Sequence, residues 1–164
     1  MAHIIRPPVP DDARAMARVH VDTWRETYRG LMPDDLLDDP ELIERRSQMW
    51  TNVITEADPH KYACAVAESD GRIVGIAMAG PPEADGGAED RHLYVLYTYR
   101  SIHGSGAGQE LLDAVLDPSL TTALWVADPN PRAQAFYIKN GFVADGTIKT
   151  DDYDGVREVR MVRA

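Results

Sequence analysis

Apolar and polar residues follow two rhythms along this chain, a helical one of about 3.6 residues and a strand one of about two. Residues 2–6 read as a short strand, ended by Pro7 and Pro8. Asp11 or Asp12 then caps a helix whose apolar set, Ala13, Met16, Ala17, His20, Val21 and Trp24, keeps helical spacing until Gly30 and Pro33 break it. A second helix is predicted over about residues 41–54, with Leu42, Ile43, Met49, Trp50 and Val53 to one side. Residues 62–68 and 72–79 read as strands around Asp70-Gly71, a hairpin signal. A loop of prolines, glycines and acids over residues 81–90 leads to a strand at 91–98. Glycines at 104–108 open a helix through Leu111, Leu112, Val115 and Leu116, and residues 121–127 form a buried strand. Asn130-Pro131 starts a short helix that Gly141 stops. Two closing strands near residues 142–149 and 156–163 are joined through Asp154-Gly155. Strand–helix–strand units in the second half imply locally parallel pairing, and the hairpins imply antiparallel pairing elsewhere. The expected solution is a mixed sheet with helices on both faces.

A chain of 164 residues with 44% hydrophobic and 27% charged positions suits one ordered domain spanning 1–164. Acids outnumber bases 27 to 17, a net charge of -10. That sign opposes nucleic-acid binding and docking on anionic lipid. No apolar run approaches the roughly 20 residues of a membrane span, and the N-terminus has no apolar core of a secretory signal. The single cysteine, Cys64, permits no internal disulfide and no cysteine-cluster metal site, and it fits a reducing, cytoplasmic setting. Acids crowd residues 31–60 against only Arg45 and Arg46, either as a solvated helix face or as a negative rim that attracts a cationic partner.

Candidate chemistry concentrates in two motifs. In His103-Gly104-Ser105-Gly106-Ala107-Gly108, glycines at alternate positions after a strand and at a helix start leave amide N–H groups open to phosphate. Gln109 stands where a nucleotide-triphosphate loop needs lysine, and the third glycine comes one residue early for a dinucleotide fold. A flexible turn without ligand remains the alternative. The second motif runs from Leu124 to Phe142: Asn130 is a good N-cap, and adjacent Phe136 and Tyr137 point to different sides of their helix.

Together these motifs resemble the GNAT family of N-acetyltransferases. Residues 103–108 match its pyrophosphate loop, Gln/Arg-x-x-Gly-x-Gly/Ala, with His103 in place of Gln or Arg, and the Asn-Pro-Arg-Ala…Phe-Tyr…Gly-Phe pattern is complete. The resemblance implies an α/β (α+β) fold with a mixed, mostly antiparallel central sheet of about seven strands and helices on both faces. It implies acetyl transfer from acetyl-CoA to a primary amine of a small molecule or peptide, by direct attack in a ternary complex, with no metal. Dimers are common among such proteins, so a homodimer is a further expectation. A non-catalytic acyl-CoA sensor of the same fold is the alternative. By the same resemblance, His103, Gly104, Ser105, Gly106, Ala107 and Gly108 hold the diphosphate, while Tyr97, Thr98, Tyr99 and Asn130 meet the pantetheine arm. Tyr137 takes the general-acid position. Tyrosine near pKa 10 can protonate a thiolate near 8.5 with little penalty. His92 stands where histone-type members carry a glutamate base, with Glu89, Asp90 or water as alternates. Trp24 and Tyr28, at i and i+4, either pack the first helix or wall the acceptor, as in a branch of the family with Trp24, Tyr28, Gly30 and Pro33 in this order.

Overall fold

Alternating burial along the strands explains how this chain builds two opposed cores. The computed structural model describes residues 2–84, 87–151 and 154–164. Its elements are β1 (Ile4–Arg6), α1 (Ala13–Tyr28), α2 (Asp34–Leu37), α3 (Leu42–Ile54), β2 (Ala63–Ser69), β3 (Arg72–Gly80), β4 (Arg91–Thr98), α4 (Ala107–Val115), β5 (Thr122–Ala127), α5 (Pro131–Lys139), β6 (Val143–Thr150) and β7 (Arg157–Arg163). Ala65, Ala67, Ala77 and Ala79 face one way and pack under Leu111, Leu112 and Val115 of α4. Val66, Ile76 and Met78, one residue out of phase, face the other way and pack under Met16, Ala17 and Val19 of α1 and Trp50 of α3. Helices therefore cover both faces, as the period-two pattern requires.

The sheet has seven strands in the order β1-β2-β3-β4-β5-β7-β6, all neighbours antiparallel except β4 and β5. The helix α4 supplies the crossover between that parallel pair. The short helix α2 was not expected from the sequence. Leu37 within it is fully buried beside Trp24, Leu42, Ala127 and Val156, so tertiary burial holds a segment too short to be helical alone.

His20, counted among the apolar positions of α1, earns its place in the core. The Trp50 indole Nε1 donates to His20 Nδ1 at 3.3 Å, and the Trp24 and Tyr97 rings lie 5.0 and 5.2 Å away. Burial drives the imidazole down to about 3, so it is neutral at ordinary pH.

One irregularity positions the site. β4 pairs with β5 only at Arg91↔Thr122, His92↔Ala123 and Leu93↔Leu124. The next residue, Tyr94, is the extra residue of a bulge against β3, where Met78 pairs Val95 and Ala79 pairs Leu93. A bulge sharpens local twist, and from here the strands part. β4 stays with β3 up to Thr98, while β5 stays with β7 up to the pair Ala127↔Glu158. The result is a fork in the sheet between Tyr94–Thr98 and Trp125–Ala127.

Candidate active site

Each arm of the fork runs into one of the two motifs. Beyond Thr98, a 3-10 turn at Arg100–Ile102 leads into the glycine segment. Gly104 and Gly106 have φ of 85° and 90°, the left-handed region that side chains disfavour, and Gly106 is the N-cap of α4. A Cβ at either would meet nothing within 4 Å, so these glycines serve conformation and the space above them is open. No hydrogen bond within the described residues occupies the N–H groups of Gly104, Gly106 or Gly108. These amides and the positive end of α4 make an anion cradle. Gly108, already inside α4, has ordinary backbone geometry. Ser105 Oγ accepts from the Ala107 N–H at 3.3 Å. His103 is exposed, with Arg132 and Arg100 close enough to lower its pKa further after desolvation.

Beyond Ala127, β5 leads into α5. Asn130 caps this helix, its side-chain oxygen accepting from the Ala133 N–H at 3.3 Å, so the capping role is filled and its amide nitrogen is left for other use. Tyr137, half-buried, sits edge-on to Phe136 and Phe142 at 5.5 and 5.6 Å. Burial raises its phenol well above the usual range, and Tyr97 raises it further.

Between the arms, α1 supplies Trp24 and Tyr28, rings 6.5 Å apart and edge-on. Burial pushes the Tyr28 phenol up first, then Tyr97, Tyr137, Glu158 and Asp154 add to the effect. Residues from α1, β4, α5, β7 and the β6–β7 turn thus converge on one hydroxyl. Trp24 Nε1 is buried and faces the Tyr97 hydroxyl without reaching hydrogen-bond geometry. Tyr99, by contrast, is fully engaged: its hydroxyl donates to Asp22 at 2.7 Å and its N–H to the Val74 carbonyl. It anchors the end of β4 to α1.

The family model of the acetyltransferase (GNAT) family matches residues 16–142, which span α1 through Phe142 and contain both arms of the fork. The chain belongs to this family. Among curated relatives, the probable N-acetyltransferase Rv2775 of Mycobacterium tuberculosis is 31% identical over 150 residues, covering 87% of this chain and 80% of that protein. The N-acetyltransferase YuaI of Bacillus subtilis is 27% identical over 126 residues, covering 74% and 69%. Among solved structures, the PaiA N-acetyltransferase of Thermoplasma acidophilum has a TM-score of 0.74 at 20% identity, with 99% of each chain covered. A Corynebacterium glutamicum acetyltransferase related to histone acetyltransferase HPA2 has a TM-score of 0.70 at 25% identity, covering 99% of this chain and 96% of that one. The chain is a GNAT N-acetyltransferase, and its seven-stranded mixed sheet is the expected fold.

The structure gathers Trp24, Tyr28, Tyr97 and Tyr137 at the fork but leaves His92 in a separate group. His92 is buried, not exposed as a lone histidine beside an acidic loop would be. Its Nε2 lies 3.7 Å from Glu83, its ring is tilted against Tyr94 with centroids 4.5 Å apart, and its Nδ1 has no partner among the described residues. Desolvation lowers its pKa, against Glu83 and Glu89, which raise it, and with Lys149 and Arg160, which lower it. The alternates are also engaged: Glu89 pairs with Arg160 at 2.6 Å, and Asp90 accepts from the Thr121 N–H and hydroxyl, each at 3.0 Å.

Glu158, which the sequence pattern does not single out, also lies within electrostatic reach of Tyr28 and Tyr97. It sits in an alternating strand of arginines and valines, where its face is legible but not its neighbour, Ala127 at the mouth of the fork. Burial raises its carboxyl to about 6; Lys149 opposes this, while Asp154, Asp151 and Glu83 add to it. Among the described residues no group of three or more His, Cys, Asp or Glu is placed to hold a metal, and no helix is long and apolar enough to cross a membrane.

Proposed function

We propose that this GNAT enzyme moves an acetyl group from acetyl-CoA to a primary amine of a small molecule or peptide, by direct attack while both substrates are held. One observation carries the reading: the β4 arm of the open fork enters the glycine cradle, and the β5 arm enters the helix that carries Tyr137. The residues present fit such a donor. Gly104, Gly106 and Gly108 offer unpartnered N–H groups, open space lies over the first two, and Arg100, His103 and Arg132 form a basic rim in an otherwise acidic chain. Support also comes from the Thermoplasma acidophilum PaiA N-acetyltransferase, solved in complex with coenzyme A, whose fold this chain shares.

A thioester brings an acyl carbon that an amine attacks readily. The chain's part is to hold, align and stabilise. Amides of residues 104–108 grip the diphosphate. The main chain of Tyr97 and Thr98, on the side of β4 that β5 leaves free, aligns the pantetheine arm, and an N–H along that edge polarises the carbonyl. Trp24 and Tyr28 wall the acceptor. Tyr137 faces the leaving sulfur, but its raised phenol departs from the expectation of near-costless proton transfer. A phenol above 10 yields its proton reluctantly to a thiolate near 8.5, so its contribution is a hydrogen bond to developing negative charge.

Thiol release from acetyl-CoA in the presence of a panel of primary amines, beside calorimetric titration of coenzyme A, tests the reading. Heat on titration and amine-dependent thiol are expected. Tight binding with no thiol from any amine would replace the enzyme by an acyl-CoA sensor.

A further inference from the structure

We propose that Glu158 is the base that takes the proton from the acceptor, and that the acceptor therefore enters as a primary ammonium ion. The inference rests on the acetyl-transfer reading above and assigns one of its steps.

Position comes first. On β7, Val159 and Met161 turn into the α4 core, which leaves Glu158 and Arg160 on the opposite face, the side of α1. Glu158 pairs with Ala127, the last residue of the β5 arm, and Ala127 packs with Trp24 beside Tyr28 and Tyr97. Tyr28 is within electrostatic reach of both Glu158 and Tyr137, the proposed base and the hydrogen-bond donor to sulfur. An acceptor nitrogen beside Tyr28 is therefore near both the carboxylate and the thioester end.

The electrostatic setting agrees. Arg160, two residues along on the same face, is taken up by Glu89 at 2.6 Å and Asp145 at 2.8 Å, and the adjacent Arg157 lies 3.7 Å from Asp128. Among the described residues the cation paired with Glu158 is Lys149, at 4.0 Å with no hydrogen bond, and Lys149 also lies 4.3 Å over the Trp125 ring. The groups facing Glu158 are Lys149 from β6, Asp151 and Asp154 from the β6–β7 turn, Glu83 from the β3–β4 loop, and Tyr28 and Tyr97 from α1 and β4. Carboxylates outnumber the one lysine, which favours a cation beside them. The buried Trp24 N–H, which faces the Tyr97 hydroxyl without closing a hydrogen bond, adds polar character to the same cluster. A carboxyl raised to about 6 is ionised at neutral pH yet basic enough to accept a proton there.

The step balances as follows. The Glu158 carboxylate removes one proton from R–NH3+ and later releases it to water. The freed amine forms a C–N bond to the thioester carbonyl as the C–S bond breaks, and the second nitrogen proton passes to the departing sulfur, which Tyr137 stabilises by its hydroxyl. The products are an N-acetyl amine and a free thiol.

The test measures kcat/KM for n-butylamine, 1,4-diaminobutane, lysine ethyl ester and an alanyl peptide between pH 5 and 9, with wild type, Glu158→Gln and Glu158→Asp. For wild type an acid limb near pH 6 is expected with every reactive amine, followed by a plateau that extends up to that amine's own pKa, about 8 for the alanyl peptide. Glu158→Gln should lose that limb and fall by about 100-fold or more, with coenzyme A affinity unchanged by calorimetry, and Glu158→Asp should restore part of the rate. A glutamine variant that keeps the limb, whatever its rate, overturns the assignment, as does a wild-type profile that climbs steadily toward each amine's own pKa. Coenzyme A binding without thiol from any amine overturns the acetyl-transfer reading, and this inference with it.

Discussion

Tyr137 holds its proton more tightly than an exposed tyrosine because burial and the neighbouring Tyr97 phenol both disfavour the anion. A tightly held proton is an asset for hydrogen bonding to a departing thiolate. Tyr137→Phe keeps the ring contacts with Phe136 and Phe142 and removes only that donor. Turnover should fall by about 100- to 1,000-fold while coenzyme A affinity, read by calorimetry, barely moves; an unaltered rate would remove Tyr137 from the reaction. Glu158 carries the opposite burden. Its carboxyl is raised from 4.5 to about 6, so the folded state takes up protons between those values and the charged form opposes folding above them. Glu158→Gln should therefore match or exceed wild type in urea unfolding at pH 7.5, by up to about 2 kcal/mol. Tyr137 is legible in the sequence because it sits inside a dense local motif from Asn130 to Gly141. Glu158 is not, because its role depends on a strand register set by distant residues.

The fork is an event between elements, and neither of its strands announces it. Residues 91–98 and 121–127 read correctly as strands, and their parallel pairing follows from the crossover helix. That pairing stops after Leu93↔Leu124, beside a one-residue bulge at Tyr94, and no local propensity encodes this. The glycine turn is different, since its geometry is written in residue types. Gly106 has φ of 90° at the N-cap of α4, whereas Gly108 is inside the helix with Phe136 at 4.0 Å from an added Cβ, an ordinary contact. Gly106→Ala forces an L-residue into the left-handed region at about 1–2 kcal/mol, and relaxation would turn the amides away from the diphosphate. Gly108→Ala should stabilise α4 by about 0.5–1 kcal/mol. Thermal melts should separate the two variants in opposite directions, and calorimetry should find weakened coenzyme A binding for Gly106→Ala. Equal melting shifts would show that the left-handed conformation at 106 is not what the glycine is for.

Across the molecule, the response to pH sums terms of both signs, and one buried group permits them to be separated. Neutral phenols at Tyr28, Tyr97 and Tyr137 are raised by burial, so their stabilisation is lost as pH rises past 10, where unfolded tyrosine ionises. Asp12, lowered by its hydrogen bond to Arg6, loses stabilisation as pH falls through the carboxylate range. Acidification also relieves self-repulsion from a net charge of -10, a gain that offsets part of these losses. The buried imidazoles His20 and His92, both lowered by desolvation, act earliest on the acid side, and His20 is the more completely buried by packing against Trp24, Trp50 and Tyr97. The folded value of His20, about 3, lies below the unfolded 6.5, so the unfolded chain binds the extra proton, and stability drops below pH 6.5 with a slope that approaches about 1.4 kcal/mol per pH unit. His20→Asn keeps an acceptor for the Trp50 indole N–H, which now bonds His20 Nδ1, and removes the titration. It leaves the carboxylates and global charge nearly as they were, so the difference between variant and wild type isolates one imidazole. The variant should start less stable at pH 7.5 through lost packing. Between pH 6.5 and 4.5 it should regain about 2.3 kcal/mol on wild type in urea unfolding. Parallel pH curves would mean that His20 is reached by water and protonated without unfolding, and the packing of α1 against α3 around it would then have to be looser than Trp50, Trp24 and Tyr97 make it here.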